Sequence, residues 1–302
     1  MSKIVVTGCC GLLGQKLVNS LRRHSVVGID LLDSYPDRDL KFEYRSADIT
    51  DRNSLERALH ERKPEWLINC AGVTNVDACE KNNALAYMVN VSGVEKLVEL
   101  CSEMKIKIVQ MSTDYVFDGR DGPYGEDAQP NPVGYYGLTK HYAEKLIMEG
   151  LRDYVIIRTN VLYGTGVDIR PNFLSWALNR LQGGKSLSVV TDQFNNPTLA
   201  ENLAEAIAEL IDLDFQGVMH FGGRDYISRF KFAESIAQVF ALDANLIRPV
   251  LTEELHQVAL RPLQGGVQIG LARKLLKTIP LSVNEGLEIV KRQLIPQPSN
   301  QF

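Results

Sequence analysis

Tyr136 and Lys140 stand four residues apart in the stretch YYGLTKHYAEK (135–145), a spacing that puts a phenol and an ammonium on one face of a helix. An ammonium at that distance stabilises the phenolate and draws the phenol down from its usual value of about 10, which makes it an acid or base near neutrality. Tyr135 lacks that partner, because the residue four positions on is Thr139. A second polar group lies upstream in MSTDYVFDG (111–119), directly after the apolar run 106–110. If that run is a strand of an open sheet, Ser112, Thr113 and Asp114 emerge at its carboxyl edge, where such sheets bind ligands. A hydroxyl, a phenol and an ammonium gathered there can hold a carbonyl oxygen and give it a proton. Singly, each is an ordinary surface pair or strand end; the order in which they follow the N-terminal glycine loop carries the argument.

Apolar runs alternating with amphipathic segments from Lys3 onward predict parallel strands joined by crossover helices. Strands are expected at 3–6, 26–30, 41–44, 66–69, 106–111 and 154–158, and helices at 12–23, 51–62, 80–104 and 134–150. The fold class is α/β, a doubly wound, Rossmann-like parallel sheet with helices on both faces. Residues 1–163 form the dinucleotide-binding part, with an added strand possible near 218–221. Residues 164–302 read mainly as a smaller substrate-binding region. The tail IPQPSNQF is expected to fray.

TGCCGLLG (7–14) sits between the first strand and the first helix, and Gly8, Gly11 and Gly14 make it G-x-x-G-x-x-G. One glycine permits positive φ, another lets backbone approach a pyrophosphate, and the last lets helix and strand pack closely. The helix N-terminus then offers free N–H groups to the phosphates. Asp30, 16 residues past Gly14 and at the end of the second strand, is placed to accept hydrogen bonds from an adenosine ribose. That carboxylate repels a 2′-phosphate, and Leu31 and Leu32 bring no cation, so NAD(H) is favoured. NADP(H) stays possible through Arg22 or Arg38. Cys9 and Cys10 read as small spacers; if Cys10 faces the cofactor, NAD(H) should slow its alkylation.

These motifs in this order resemble the extended short-chain dehydrogenase/reductase superfamily. Within it, AGVTNVDACE (71–80), STDYVFDG (112–119), RTNVLYG (158–164), TDQFNNPT (191–198) and ALRP (259–262) are most similar to the dTDP-4-dehydrorhamnose reductase family. The resemblance implies a reductase of a nucleotide-linked 4-keto sugar in dTDP-rhamnose and polysaccharide biosynthesis. Tyr136 would donate the proton, Lys140 would activate it and bind the nicotinamide ribose, and Thr113 would orient the carbonyl. Gly11, Leu12 and Leu13 would hold the pyrophosphate, and Asp30 the ribose. Asp48 and Ile49 would flank the adenine, while Ala71, Gly72, Val73 and Met111 line the trough. Thr113, Asp114, Asn160 and Arg261 would meet the substrate. The chain departs from the family pattern at Val161, where an aromatic is common, at Asn195 for a glycine, and at Gly265-Gly266 for Asn-Ser. All of these fall in the substrate half and bear on which keto sugar is taken. Two other readings are a non-catalytic regulatory subunit of the same family and a nucleotide-sugar epimerase or dehydratase. Against a dehydratase, Tyr115 follows Asp114 where a second acid is usual.

Composition narrows the remaining classes. The 302 residues are 45% hydrophobic, with a net charge of −4 and no long run of one sign, so neither nucleic acid nor an anionic membrane is an expected partner. No apolar run reaches the roughly 20 residues of a membrane span. Five cysteines without an evident leader point to the reduced cytoplasm. The histidines show no metal-ligand spacing, and Gln15 and Lys16 stand where an acidic ligand would be sought, so no metal is expected. A homodimer is expected through the apolar stripes of 80–104 and of the Tyr136 helix.

Overall fold

In the computed structural model, which describes residues 1–37, 42–60 and 63–294, the chain builds a seven-stranded parallel sheet. Six strands come from residues 3–159: β1 (Lys3–Thr7), β2 (Ser25–Asp30), β3 (Glu43–Ser46), β4 (Trp66–Asn69), β5 (Lys107–Thr113) and β6 (Tyr154–Thr159). Their order is β6-β5-β4-β1-β2-β3, and the strand Gly217–His220 joins the outer edge of β6 in parallel register. The C-terminal region thus returns one strand to the main sheet, at 217–220 rather than 218–221. The third strand begins at Glu43, later than read from the sequence, and Lys41 and Arg38 lie outside the described residues, as does the 295–302 tail.

Strand residues alternate between two apolar layers, as a two-residue side-chain period requires. Ile4, Val6, Ile68, Val109 and Ile157 face one layer with α1 (Leu12–Ser20) and α8 (Ala200–Asp212). Val5, Leu67, Ile108 and Ile156 face the other, covered by α2 (Arg52–His60), α5 (Gly93–Met104) and α6 (Tyr135–Gly150). A third core around Tyr163, Phe232 and Leu287 gathers α7 (Phe173–Gln182), α9 (Arg229–Val239) and α11 (Val283–Leu294). A short α10 (Gly270–Leu275) lies between α9 and α11. Among the described residues no helix is long and apolar enough to cross a membrane.

The sequence reading of one helix over 80–104 needs correction. The chain forms α3 (Val76–Lys81), α4 (Asn83–Tyr87), a π turn (Met88–Ser92) and then α5. Asn75 and Asn82 cap α3 and α4 through their side chains, restarting the helix where a continuous pattern was read. The π turn presents Asn90, whose Oδ1 accepts from Val73 N (2.8 Å) and whose Nδ2 donates to Val73 O (3.0 Å) and Thr139 Oγ1 (3.1 Å). One buried amide therefore ties the loop after β4 to α6.

At the carboxyl edge the strands end in polar residues that bond sideways. Thr7 Oγ1 donates to Asn69 Oδ1 (2.6 Å), and Asn69 Nδ2 donates to Gln110 Oε1 (2.8 Å). These residues are register partners on β1, β4 and β5. Beside this ladder, α6 crosses the end of β5 so closely that a Cβ at Gly137 would lie 2.0 Å from the Tyr115 carbonyl oxygen. Gly137→Ala is therefore expected to push α6 outward and lower the unfolding free energy by about 1–3 kcal/mol, read from chemical denaturation.

Candidate active site

The glycine loop has the geometry its sequence requires. Gly8 adopts φ +67, and a Cβ there would lie 2.6 Å from Ala71 N. A Cβ at Gly14 would lie 2.2 Å from Gly8 O, so α1 can start this close to β1 only with glycine. Gly11 is the N-cap of α1 and supplies no side-chain cap, leaving the first-turn N–H groups at Leu12 and Leu13 to an incoming anion. Asp30 ends β2, its Oδ2 accepting from Cys10 N (2.9 Å) and its Oδ1 from Leu31 N (2.8 Å). Asp48 closes a turn by accepting from Thr50 N (2.8 Å), and buried Ile49 packs next to Gly93. Ala71, Gly72 and Val73 follow β4, and Met111 lies in neighbouring β5, so the proposed trough residues come from two adjacent strands and the loop that leaves β4. An open helix N-terminus, a backbone cradle and a carboxylate at the next strand end fit a dinucleotide. Arg22 bonds Asn19 (2.7 Å) beyond the far end of α1, a helix length from the glycine loop.

Cys9 and Cys10 pack in the core beneath the sheet, Cys9 fully buried and Cys10 next to Tyr44 (Sγ to Oη 3.9 Å). Their sulfurs and an Asp30 oxygen lie within 4.8 Å of one another, a grouping that the sequence spacing alone did not reveal. Burial, followed by the charge of Asp30, pushes Cys10 up to about 11, and burial pushes Cys9 further still.

Thr113, Tyr136 and Lys140 come together at the end of β5 and the start of α6, at most 9% exposed. Thr113 Oγ1 accepts from Tyr115 N (3.2 Å) and makes a long bond to Asp114 Oδ1 (3.3 Å). The Tyr115 ring meets Tyr136 edge-on at 5.7 Å. Burial raises the Tyr136 phenol above its usual value, with Thr113 pulling it partly back and Asp114, Cys79 and Tyr115 adding to the rise. This corrects the sequence expectation of a phenol lowered by Lys140, because desolvation of the phenolate is the larger effect. Burial also lowers Lys140, to about 8, against the opposing pull of Glu144. Near neutrality the tyrosine thus holds its proton beside a lysine that is still cationic.

Asp114 is 1% exposed; burial raises it to about 6, opposed by the hydrogen bond from Gly266 N to Oδ2 (2.9 Å). Asn160 is buried with neither amide atom in a hydrogen bond of normal geometry, and Val161 beside it has φ +43, a strained setting for a β-branched residue. Arg261 is engaged by Asp77 of α3 (3.0 Å), and Asp77 also accepts from Ala259 N (3.0 Å). The substrate-side residues of the sequence reading are therefore near Thr113, except that Arg261 is held in an ion pair.

Sequence reasoning missed several residues. Arg229, at the start of α9, lies near Tyr115 and Asp114, and its guanidinium covers the Phe173 ring at 5.3 Å. Glu144 of α6 receives Arg158 Nε (2.9 Å), Arg158 Nη2 (2.8 Å) and Ser112 Oγ (2.5 Å) deep in the protein. The available signal was charge out of place: an arginine closing the apolar strand YVIIR, and a glutamate one turn beyond Lys140.

Such a doubly wound sheet, with a glycine loop, a strand-end acid and a Thr/Tyr/Lys cluster at its carboxyl edge, defines an extended short-chain dehydrogenase/reductase. Comparison with known proteins narrows the class. The family pattern described as "RmlD substrate binding domain" matches residues 2–294, and the chain belongs to that family. It is 34% identical, over 85% of this chain and 86% of the relative, to "Probable low-salt glycan biosynthesis reductase Agl14" of Haloferax volcanii. It is 32% identical to the dTDP-4-dehydrorhamnose reductase of Mycobacterium tuberculosis, covering 86% and 82% of the two chains. The crystal structure of dTDP-4-dehydrorhamnose reductase from Bacillus anthracis in complex with NADP superposes with a TM-score of 0.86, at 30% identity, over 97% of this chain and 99% of that one.

The raised thiols give a direct check on the glycine loop. At neutral pH, iodoacetamide should leave Cys9 and Cys10 of the folded protein unmodified, with or without NAD(H), and should reach them only on unfolding, as read by peptide mass spectrometry.

Proposed function

We propose that the chain reduces the C4 ketone of a dTDP-linked 4-keto-6-deoxy sugar of the dTDP-4-dehydrorhamnose type, with Tyr136 as the proton donor. The convergence of Thr113, Tyr136 and Lys140 beside the glycine-loop groove is the observation that carries this reading, and the names of the relatives supply the substrate class. The glycine loop and Asp30 would hold a reduced nicotinamide dinucleotide, which when bound would supply the hydride that reduces the carbonyl carbon. Thr113 then turns its hydroxyl to the carbonyl oxygen, and Tyr136, kept protonated by burial, hands over its proton as charge builds there. Lys140 offsets the phenolate left behind and binds the ribose. Gly8, Gly11, Leu12, Leu13 and Gly14 cradle the pyrophosphate, Asp30 holds the adenosine ribose, Asp48 and Ile49 border the adenine, and Ala71, Gly72, Val73 and Met111 line the nicotinamide side.

Residues 164–302 are proposed to hold the nucleotide half of the substrate. Arg229 and Arg261 flank Tyr115, and their charge suits a diphosphate, with Arg261 exchanging Asp77 for it. Asp114 and Asn160 are left to the sugar hydroxyls. NAD(H) is the cofactor that the Asp30 carboxylate favours over NADP(H). A cytoplasmic homodimer completes the proposal; apolar Leu85, Tyr87, Met88 and Tyr142 are exposed on α4, the π turn and α6 and suit a self-association face.

With dTDP-4-dehydrorhamnose, the protein should oxidise NAD(P)H, and Tyr136→Phe should cut turnover by about 10²–10⁴-fold while leaving cofactor affinity nearly unchanged. Undiminished turnover in that variant would remove Tyr136 from its role. Because Lys140 loses its charge near pH 8, kcat/KM for reduction should fall as the pH rises through that value. The preference for NADH over NADPH should shrink by about tenfold or more in Asp30→Ala, a change of about 1.4 kcal/mol; an unchanged ratio would mean that Asp30 does not select.

A further inference from the structure

Glu144 lies one helical turn beyond Lys140 on α6, on the same face, and only 1% of it is exposed. Three elements meet at its carboxylate. Arg158 of β6 grips both oxygens, through Nε at 2.9 Å and Nη2 at 2.8 Å, and Ser112 of β5, the residue before Thr113, donates to Oε1 at 2.5 Å. Arg158 is itself fixed, stacked over the Phe117 ring at 5.1 Å, with Nη1 at 3.3 Å from Glu126 O and 3.4 Å from His220 Nε2. His220 Nδ1 donates to Tyr124 O (3.1 Å), and its backbone N–H donates to Glu126 Oε1 (3.2 Å). A carboxylate so fully engaged cannot change rotamer, so the negative charge it presents to Lys140 has a fixed position.

The ammonium of Lys140 has few other sources of support. The groups that act on it are Glu144 from α6, Cys70 after β4 and Cys79 from α3. Both thiols are pushed up by burial, Cys70 to about 12 and Cys79 to about 11, so at neutral pH neither carries charge. His141, next to Lys140 and facing Glu144 and Arg158, is lowered by burial and is neutral there as well. Glu144 is left as the one carboxylate acting on Lys140 in an environment that otherwise disfavours an ammonium.

We propose that Glu144, clamped by Arg158 and Ser112, is a positioning residue that keeps Lys140 charged and aligned with Tyr136. It acts through Lys140 and through the strand end that carries Thr113, not on the reacting atoms. Its relevance to turnover rests on the reading of Lys140 as the partner of Tyr136. The same clamp joins β5, β6 and α6 directly behind Thr113, so the proton-donating helix and the hydroxyl that orients the carbonyl share one anchor.

Titration of the Lys140 side chain by NMR tests this without cofactor or substrate. Lysine labelled with 13C at Cε gives a resonance assignable with Lys140→Met, and in the unmodified protein its midpoint should lie near 8. Glu144→Gln should lower that midpoint by about one pH unit or more, and Glu144→Asp, which keeps a charge there, should hold it close to the unmodified value. If Glu144→Gln alone fails to fold, Glu144→Gln/Arg158→Met removes the pair without leaving a lone buried charge and should show the same downward shift. A midpoint that stays within about 0.3 unit of the unmodified value in Glu144→Gln, or in Glu144→Gln/Arg158→Met where the single variant does not fold, overturns the proposal. In the turnover assay, the alkaline fall of kcat/KM should move down in pH with the midpoint. A midpoint that moves while the fall does not would leave Glu144 in its role and count against Lys140 as the partner of Tyr136.

Discussion

A single close approach sets the geometry of the site: the first turn of α6 lies against the backbone that leaves β5, with only a hydrogen atom at residue 137 between them. Any side chain there would meet the Tyr115 carbonyl, and the rings of Tyr115 and Tyr136 would separate. Two buried polar contacts hold the helix in that position along its length. Asn90 reaches Thr139 from the π turn, and Glu144 is gripped from β5 and β6. A hydrophobic interface alone would fix the distance between helix and sheet, whereas these bonds also fix the helix along its axis and about it. Thr113, Tyr136 and Lys140 therefore come from two elements whose relative register is pinned at three points.

Burial at this edge acts on the two ionisable partners in opposite senses. It disfavours phenolate at Tyr136 and ammonium at Lys140, so both groups are pushed toward their neutral forms. The phenol is thereby poised to give a proton rather than accept one, which suits the reductive direction. At the lysine, the buried Glu144 carboxylate one turn away opposes that push. Asp114 adds a third perturbed group, raised by the same desolvation and restrained by the Gly266 N–H. Clustered perturbation of this kind is the pattern expected of a proton-transfer site.

Much of this was legible in the sequence because strong periodicity and glycine placement leave few alternatives. Six strands of the sheet, the glycine loop and the Tyr-x-x-x-Lys helix follow from the alternation of apolar runs, from TGCCGLLG and from the strand-end Ser-Thr, whereas the seventh strand was only a possibility near 218–221. The broken helix over 76–104 was not legible, because its interruptions come from asparagine caps within a pattern that stays helical on either side. The sense of the Tyr136 shift was missed because spacing reports which charges are near and says nothing of how much water is removed. Arg158 and Glu144 lie 14 positions apart and Asp77 and Arg261 lie 184 apart, so their pairing appears only once the chain is folded. Val161 and Asn160 show a local conformation that no residue pattern announces.

The central claim, that this edge delivers hydride and a proton to a sugar ketone, is tested most directly by tracing the hydrogen. Incubation with dTDP-4-dehydrorhamnose and nicotinamide dinucleotide carrying deuterium at C4 should place deuterium at C4 of the product sugar, seen by NMR as loss of that proton signal. A protein that binds both ligands yet leaves the sugar ketone unreduced and unlabelled would contradict the account.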